Sequence, residues 1–551
     1  MPTTRPSDHP PPSPDSDAAA RAARELGLEF DPLDAADPDP AWLGRFPARL
    51  LMDHEILPLG QSDGRVRAAV ADAGAAGPAL QRLRALTGLH FLPVLAPREA
   101  LQRELKRRLG VGADTLQSLE SADDFQWVRE ETDERADLEQ AAGDASIIRF
   151  VNQVLADAIS LRATDIHIEP FEEELRIRYR IDGVLQEAPV PPRLNRFQPA
   201  IVSRIKILSG LNIAEKRLPQ DGRIRVRVRG GELDVRISII PMLHGEAVVL
   251  RLLRRDAQLM RLGDLGLAPR DRATLDRLLA IPHGIVLLTG PTGSGKTTTL
   301  YSALNEINDV GRKIVTIEDP VEYQLRGVNQ IQVNEKAGLT FARGLRSILR
   351  HDPDVVLVGE IRDPETAAIA VQASLTGHLV FSTLHTNDAP GAPVRLIDMG
   401  VEPYLVASSL EAAIAQRLVR LLCVRCRRPD ESERAETLRE QFPELRGAAL
   451  YRADGCPECR HTGYWGRRAL FEVMALTPSL RRLILRNASS GEIREQARRE
   501  GLVSLLEDGW RLVREGVTTP DEVLRVSKDE RMNELGETGN APAPPAEGAG
   551  R

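Results

Sequence analysis

The chain has 551 residues, enough for three or four domains, and its 42% apolar content supports real cores although aromatics stay at 4%. A net charge of −7 argues against a protein-wide nucleic-acid footprint, which demands a basic face, so no nucleic-acid partner is expected. No run approaches the eighteen apolar residues of a membrane span, and Met1-Pro-Thr-Thr-Arg-Pro-Ser-Asp-His lacks the hydrophobic segment of a secretory signal. All four cysteines fall in two C-x-x-C pairs, leaving none for a scattered disulfide framework, so the expected compartment is cytoplasmic.

Taken in order, residues 1–40 open with a Pro, Ser and Asp-rich stretch and read as a disordered tail. Residues 41–112 read as a small α/β module: Ile56-Leu-Pro-Leu59, an alternating Arg65–Val70, a helix from Pro78 to Leu86 and a charged helix from Pro97 to Leu109. It shows no catalytic pattern, which suggests an interaction module. Residues 113–144 read as an acidic linker, since Asp123 to Asp144 holds nine acidic residues against two arginines.

Residues 145–262 change character. Ile147, Ile148, Val151, Val154, Leu155, Ala158 and Ile159 recur at helical spacing. Asp165–Glu169, Leu175–Val184, Asp221–Arg229 and Leu233–Ile240 then alternate with period two, with Asp182-Gly183 and Gly230-Gly231 as turns. The pattern predicts an α+β domain with an antiparallel sheet. Its other face carries Arg176, Arg178, Arg180, Arg223, Arg225, Arg227 and Arg229; most fit the wet side of a half-buried sheet, and a subset meets a neighbour or a phosphate.

Residues 263–411 alternate strand and helix, as an open, mostly parallel α/β sheet does. Strands are expected at Gly284–Thr289, Lys313–Glu318, Val355–Gly359 and His378–Thr383. Directly after the first comes Gly290-Pro291-Thr292-Gly293-Ser294-Gly295-Lys296-Thr297, which matches G-x-x-x-x-G-K-[ST], and Thr297-Thr298 opens a helix. Glycines bring backbone N–H groups close around phosphate oxygens, and the helix dipole points at the same place. Lys296 is expected on the β- and γ-phosphates and the Thr297 hydroxyl on Mg²⁺. The loop therefore reads as a nucleoside triphosphate site.

Hydrolysis needs more than binding. Val355-Val-Leu-Val-Gly-Glu360 is an apolar strand running out to a carboxylate, and Glu360 takes the Mg²⁺ role in place of the usual aspartate. Thr316-Ile-Glu-Asp-Pro-Val-Glu-Tyr323 ends another strand at the sheet edge where ligands sit, and Glu318 is assigned as the group that activates water. Gly377-His-Leu-Val-Phe-Ser-Thr-Leu-His385 ends a third. A histidine there is structural or senses the γ-phosphate, and His385 is assigned the second role.

Residues 412–475 hold Cys423-Val-Arg-Cys426 and Cys456-Pro-Glu-Cys459, with 29 residues between the pairs. Four thiolates suit a structural tetrahedral Zn²⁺; a redox pair is the alternative, though neither pair heads a thioredoxin-like unit. Pro429 to Arg446 reads as charged and irregular, residues 476–530 as two or three helices, and 531–551 as a disordered tail.

These motifs resemble the secretion ATPase superfamily. The carrying residues are the phosphate loop, Ile317-Glu-Asp-Pro-Val-Glu-Tyr323, Gly338–Arg350, Val358-Gly-Glu-Ile-Arg-Asp363 and the Gly377–His385 box. Arg217-Leu-Pro-Gln-Asp-Gly-Arg223, Asp234-Val-Arg-Ile-Ser238 and His244-Gly-Glu-Ala-Val-Val-Leu-Arg251 match its second domain. The likeness covers about residues 145–530 and is nearest the type II secretion ATPases (GspE/PulE), with pilus-extension ATPases almost as near; the four cysteines match these branches and not the retraction branch. It implies a RecA-like core, a PAS-like second domain, and a homohexameric cytoplasmic ATP-driven motor for pseudopilus assembly, peripheral to an inner-membrane platform. Residues 41–112 then correspond to the domain that docks on the cytoplasmic part of a membrane partner. Arg236, Arg251, Arg346 and Arg350 correspond to arginines that approach nucleotide or a subunit interface. Some relatives bind a cyclic dinucleotide near the N-terminus through an Arg-Leu-Gly-type motif, which Phe46-Pro-Ala-Arg-Leu-Leu51 lacks.

Three functions compete at this level: a motor ATPase, a nucleic-acid translocase on the same sheet, and a nucleotide-binding assembly protein that does not hydrolyse. The acidic balance disfavours the second, and the pair Glu318 and Glu360 disfavours the third.

Overall fold

The computed structural model describes residues 14–33, 46, 51, 54–62, 65–109, 125–128, 145–188, 190, 194–228, 231–254 and 260–527. The expected tail 531–551 lies outside these residues, as do 34–40 and most of 113–144. Two compact units emerge, Met1–Asp256 and Ala257–Arg551.

The first unit begins earlier than expected. A helix, Pro14–Leu26, and strand β1 (Glu29–Phe30) stand where the sequence suggested a tail through residue 40. With β2 (Ile56–Ser62), β3 (Arg65–Val70) and β4 (His90–Leu95), β1 makes a sheet in the order β1-β4-β3-β2. β1 pairs parallel with β4, and Ala23 and Leu33 are buried in one core with Leu57, Val66, Leu83 and Leu101. These apolar residues are too sparse to show a period, yet partners distant in sequence bury them.

The acidic linker also contains structure. β5 (Phe125–Val128) pairs antiparallel with the edge of a larger sheet. Its other strands are β6 (Asp165–Pro170), β7 (Leu175–Ile181), β8 (Val184–Ala188), β9 (Gln220–Val228), β10 (Gly231–Met242) and β11 (Gly245–Arg254). They pair antiparallel throughout, in the order β5-β9-β10-β11-β6-β7-β8. Asp182 (φ 48°) and Gly183 (φ 86°) form the β7–β8 turn, both left-handed as a two-residue hairpin of type I′ requires. The stripe Val151, Val154, Leu155 and Ala158 of helix Ala145–Ser160 is buried in one core with Ile166, Ile168, Val235 and Ile237 of the sheet.

The second unit is built on β12 (Gly284–Thr289), β13 (Ile314–Glu318), β14 (Asn329–Gln332), β15 (Val355–Val358), β16 (Leu379–Leu384) and β17 (Leu410–Leu422). Every residue of β12, β13, β15 and β16 is buried, the pattern of parallel strands covered on both faces. A ribbon of β18 (Arg427–Pro429) and β19 (Tyr451–Ala453) follows, then β20 (Tyr464–Ala475) returns along β17. The sheet order is β14-β13-β15-β16-β12-β17-β20, parallel except for the last pair.

This topology corrects the expected subdomain 412–475. Its flanks, β17 and β20, are strands of the central sheet, and only residues 423–463 form an excursion from it. Helix Glu433–Gln441 stands where irregular chain was expected, capped by Ser432 Oγ accepting from Ala435 N. Four helices close the unit: Pro478–Leu485, Ser490–Arg499, Leu505–Arg514 and Pro520–Val526. Trp510 of the third is fully buried with its ring 4.8 Å from that of Phe442, which anchors the excursion to the body.

Candidate nucleotide site and metal centre

β12 delivers the chain from the middle of the sheet into the glycine-rich loop, and helix Lys296–Ile307 leaves it. Gly290, Gly293 and Gly295 have φ of 142°, 81° and 90°, which side chains with a Cβ rarely adopt. Lys296 Nζ donates to the carbonyls of Gly290 at 2.7 Å and Pro291 at 3.1 Å, so its ammonium is folded back over the loop. Burial lowers the Lys296 pKa, the charge of Glu360 opposes that shift, and Arg417 adds to it. Thr297 is exposed and Thr298 half-buried. The loop is thus lined by Pro291, Thr292, Ser294 and Thr298 beside the three glycines and the lysine.

The carboxyl ends of β13, β15 and β16 are stitched together beside it. Gly359 N donates to Ile317 O at 2.8 Å, Thr383 Oγ1 to Gly359 O at 2.8 Å, and Ile361 N to Thr383 O at 3.0 Å. This lattice holds Glu360, whose carboxylate pairs with Arg362 at 2.6 Å and lies 3.4 Å from His385 Nε2. Glu360 and His385, expected to work at one place, are brought together. His378 is structural, with Nδ1 2.9 Å from Ala373 O.

Glu318 departs from expectation. It is buried, and its carboxylate accepts from the Tyr301 hydroxyl, from Thr316 Oγ1 at 2.5 Å and from Gln330 Nε2 at 3.2 Å. Three donors of the chain itself thus occupy this carboxylate, which was expected to activate water. Asp319 and Glu322 on the following turn are less buried.

The arginines sort into two groups. In the first unit, β-register places Arg223, Arg236 and Arg251 in one row across β9, β10 and β11, with Asp165 next on β6. Arg251 pairs with Asp165 at 3.0 Å, Arg178 with Glu169 at 2.7 Å and Arg227 with Glu232 at 2.9 Å. Much of the wet face is therefore laced with ion pairs. Arg251, at the end of the row Arg223–Arg236–Arg251, is offset by its pairing with Asp165. In the second unit, Arg346 and Arg350 project from helix Phe341–Ile348 and its last turn, both exposed. Arg346 pairs with Glu365 at 2.6 Å, and Arg350 donates to Arg346 O at 2.9 Å.

Gln416 and Arg417 of β17 also border the loop, and sequence reasoning missed both. A Cβ on Gly295 would lie 2.8 Å from Gln416 Nε2, and Thr299 Oγ1 donates to Gln416 Oε1 at 2.8 Å. Only the parallel pairing of β17 with β12 reveals this adjacency.

The four cysteine sulfurs lie within 4.8 Å of one another and form no disulfide. Cys423–Cys456, Cys426–Cys459 and Cys456–Cys459 are 3.9, 3.7 and 3.6 Å apart. Sulfurs about 2.3 Å from a tetrahedral Zn²⁺ stand about 3.8 Å apart, so the cluster has the dimensions of a metal centre. Backbone N–H groups of Cys456 (3.1 Å) and Gly463 (3.2 Å) donate to Cys459 Sγ, which favours its thiolate form.

A family model described as type II/IV secretion system protein matches residues 140–525. The chain belongs to that family. A second model, described as MshEN domain, matches residues 26–114, consistent with the early start of the first sheet. The chain is 49% identical over 420 residues to the type II secretion system ATPase E of Vibrio cholerae, covering 76% of this chain and 81% of the relative. It is 41% identical over 516 residues to the type IV pilus assembly ATPase PilB of Myxococcus xanthus, covering 93% and 91%. Among solved structures, the Legionella pneumophila ATPase DotB superposes with a TM-score of 0.51 at 22% identity, over 70% of this chain and 95% of that one, which shows a shared fold. This family member is an ATPase with the α/β core expected from its sequence. Among the described residues, no helix is long and apolar enough to cross a membrane.

Proposed function

We propose that the chain is the cytoplasmic motor of a type II secretion system, a homohexamer that converts ATP hydrolysis into pseudopilus assembly and protein export. The observation that carries this reading is the complete phosphate loop beside Glu360 and His385, in a chain 49% identical to a type II secretion system ATPase. Assembly of pilus subunits is the second reading, supported by the match to PilB over 93% of the chain. The N-terminal domain, residues 41–112 together with the helix and strand that precede them, docks on the cytoplasmic part of an inner-membrane platform protein, which keeps the motor at the membrane. Nucleic acid has no part in this reading.

In the reaction, Lys296 leaves the carbonyls of Gly290 and Pro291 for the β- and γ-phosphates, and the loop amides hold the remaining oxygens. Thr297 and Glu360 would hold Mg²⁺, which would supply charge neutralisation for the phosphates. Glu360 orients the attacking water, and His385, 3.4 Å away, positions that carboxylate and reads the γ-phosphate. Arg346 and Arg350 complete the site across an interface between copies, while Arg236 and Arg251 meet an anion in the ring. The cysteine cluster holds one structural Zn²⁺. In cells deleted for the gene, wild type should restore export and Lys296→Ala should not; restored piliation with unchanged export would favour the second reading.

A further inference from the structure

The first glycine of the phosphate loop is confined by three atoms that the motif itself does not explain. A Cβ at Gly290 would lie 2.6 Å from Gln416 O, 2.8 Å from Ser294 Oγ and 2.9 Å from Arg417 Nη1. The pairing Thr289↔Ala415 is the reason: one residue further, β17 runs alongside the start of the loop.

Arg417 is a half-buried cation with no carboxylate at ion-pair distance among the described residues. Its guanidinium donates to two backbone carbonyls, Gln416 O at 3.0 Å and Asn387 O at 2.8 Å. Burial lowers its pKa, against the more distant charges of Glu472 and Asp388. Beside it, Ser294 is 4% exposed and its Oγ has no hydrogen-bond partner. An unsatisfied buried hydroxyl is costly, and a half-buried guanidinium facing only carbonyls is under-used. Both deficits are relieved by one anion at the loop, since a phosphate oxygen accepts from a hydroxyl and from a guanidinium fork.

We infer that Arg417 is a second phosphate-site cation, supplied by the same chain, which contacts the terminal phosphate of bound ATP. Lys296 and Arg417 are held in the same way: both are parked on main-chain carbonyls, and both exchange these for phosphate oxygens. The Arg417 exchange frees Asn387, two residues beyond His385, so one guanidinium links phosphate occupancy to the segment that carries His385. This assignment rests on the loop being the ATP site.

The test is equilibrium binding of ATPγS and ADP to the full-length protein. Arg417→Gln should weaken ATPγS about ten- to hundredfold, the range of a lost charge-assisted bond, and ADP by less than about threefold. Arg417→Lys, which keeps the charge and stem but not the fork, should fall between and carries the test if Arg417→Gln does not fold. Wild-type affinity for ATPγS in a folded Arg417 variant overturns the assignment, and so does an equal loss for both nucleotides. Lys296→Ala is run alongside: if it binds both nucleotides normally, the fault lies with the ATP site itself and not with Arg417.

Discussion

The Tyr301 hydroxyl donates to the carboxylate of Glu318, tying the helix after the phosphate loop to the end of β13. Thr316 and Gln330 complete the carboxylate's shell. Glu318 is therefore a strut between two elements, and Glu360 is the carboxylate beside Lys296. Glu360→Gln should retain nucleotide binding and lose turnover by about a hundredfold or more. Glu318→Gln should cost about 1–3 kcal/mol of stability, because an amide cannot accept three donors as a carboxylate does, with a smaller loss of turnover. Steady-state rates with melting curves check this. A hundredfold loss in Glu318→Gln at unchanged stability would return the water-activating role to Glu318.

Metal content gives the next prediction. One zinc per chain is expected by elemental analysis, and Cys423→Ser or Cys456→Ser should lose it, lowering the melting temperature on the order of 10 °C. The damage should appear in soluble yield before it appears in nucleotide binding. Full-length protein that is zinc-free, folded and active contradicts the assignment.

Glu472 of β20 makes stability depend on pH. Burial pushes its carboxyl up to about 7, Asp388 adds to the shift, and N–H groups of Ala389 and Leu505 with the Arg494 charge oppose it. The folded chain therefore binds this proton more tightly than the unfolded one, so the contribution is complete below the unfolded value near 4.5 and is lost as pH rises through about 7. Glu472→Gln should gain stability relative to wild type between pH 5 and 8, by about 3 kcal/mol. A difference between the two proteins that stays flat across that range contradicts the expectation.

The legible parts of the chain were those whose signal is local. The phosphate loop, the apolar strands ending at Glu318 and Glu360, and the hairpin at Asp182-Gly183 each carry their geometry within a few residues. The position of β17 was hidden, because Ala412–Ala415 reads equally as helix or strand and its partner β20 lies beyond the cysteine excursion. With β17 hidden, Gln416 and Arg417 had no visible tie to the loop. The inward turn of Glu318 was equally hidden, since its partners Tyr301 and Gln330 come from separate elements. The row Arg223–Arg236–Arg251 became visible only with the register of three strands.

Exposed Arg346 and Arg350 lead to a prediction about assembly. An arginine brought to the γ-phosphate in trans is worth a rate factor of roughly 10³–10⁵. Arg346→Ala should bind nucleotide as wild type does, and mixing it into wild-type protein should depress activity out of proportion to simple dilution. Activity that follows dilution alone places Arg346 outside the shared site.

The central claim, that ATP hydrolysis belongs to an assembled ring with sites shared between copies, is tested most directly by phosphate release per chain across a protein-concentration series, with mass measured in parallel by light scattering. The expected result is a low rate for the monomer, a rise that follows the appearance of a sixfold species, and no rise in Lys296→Ala. A rate per chain that stays constant from dilute monomer to assembled ring would contradict it.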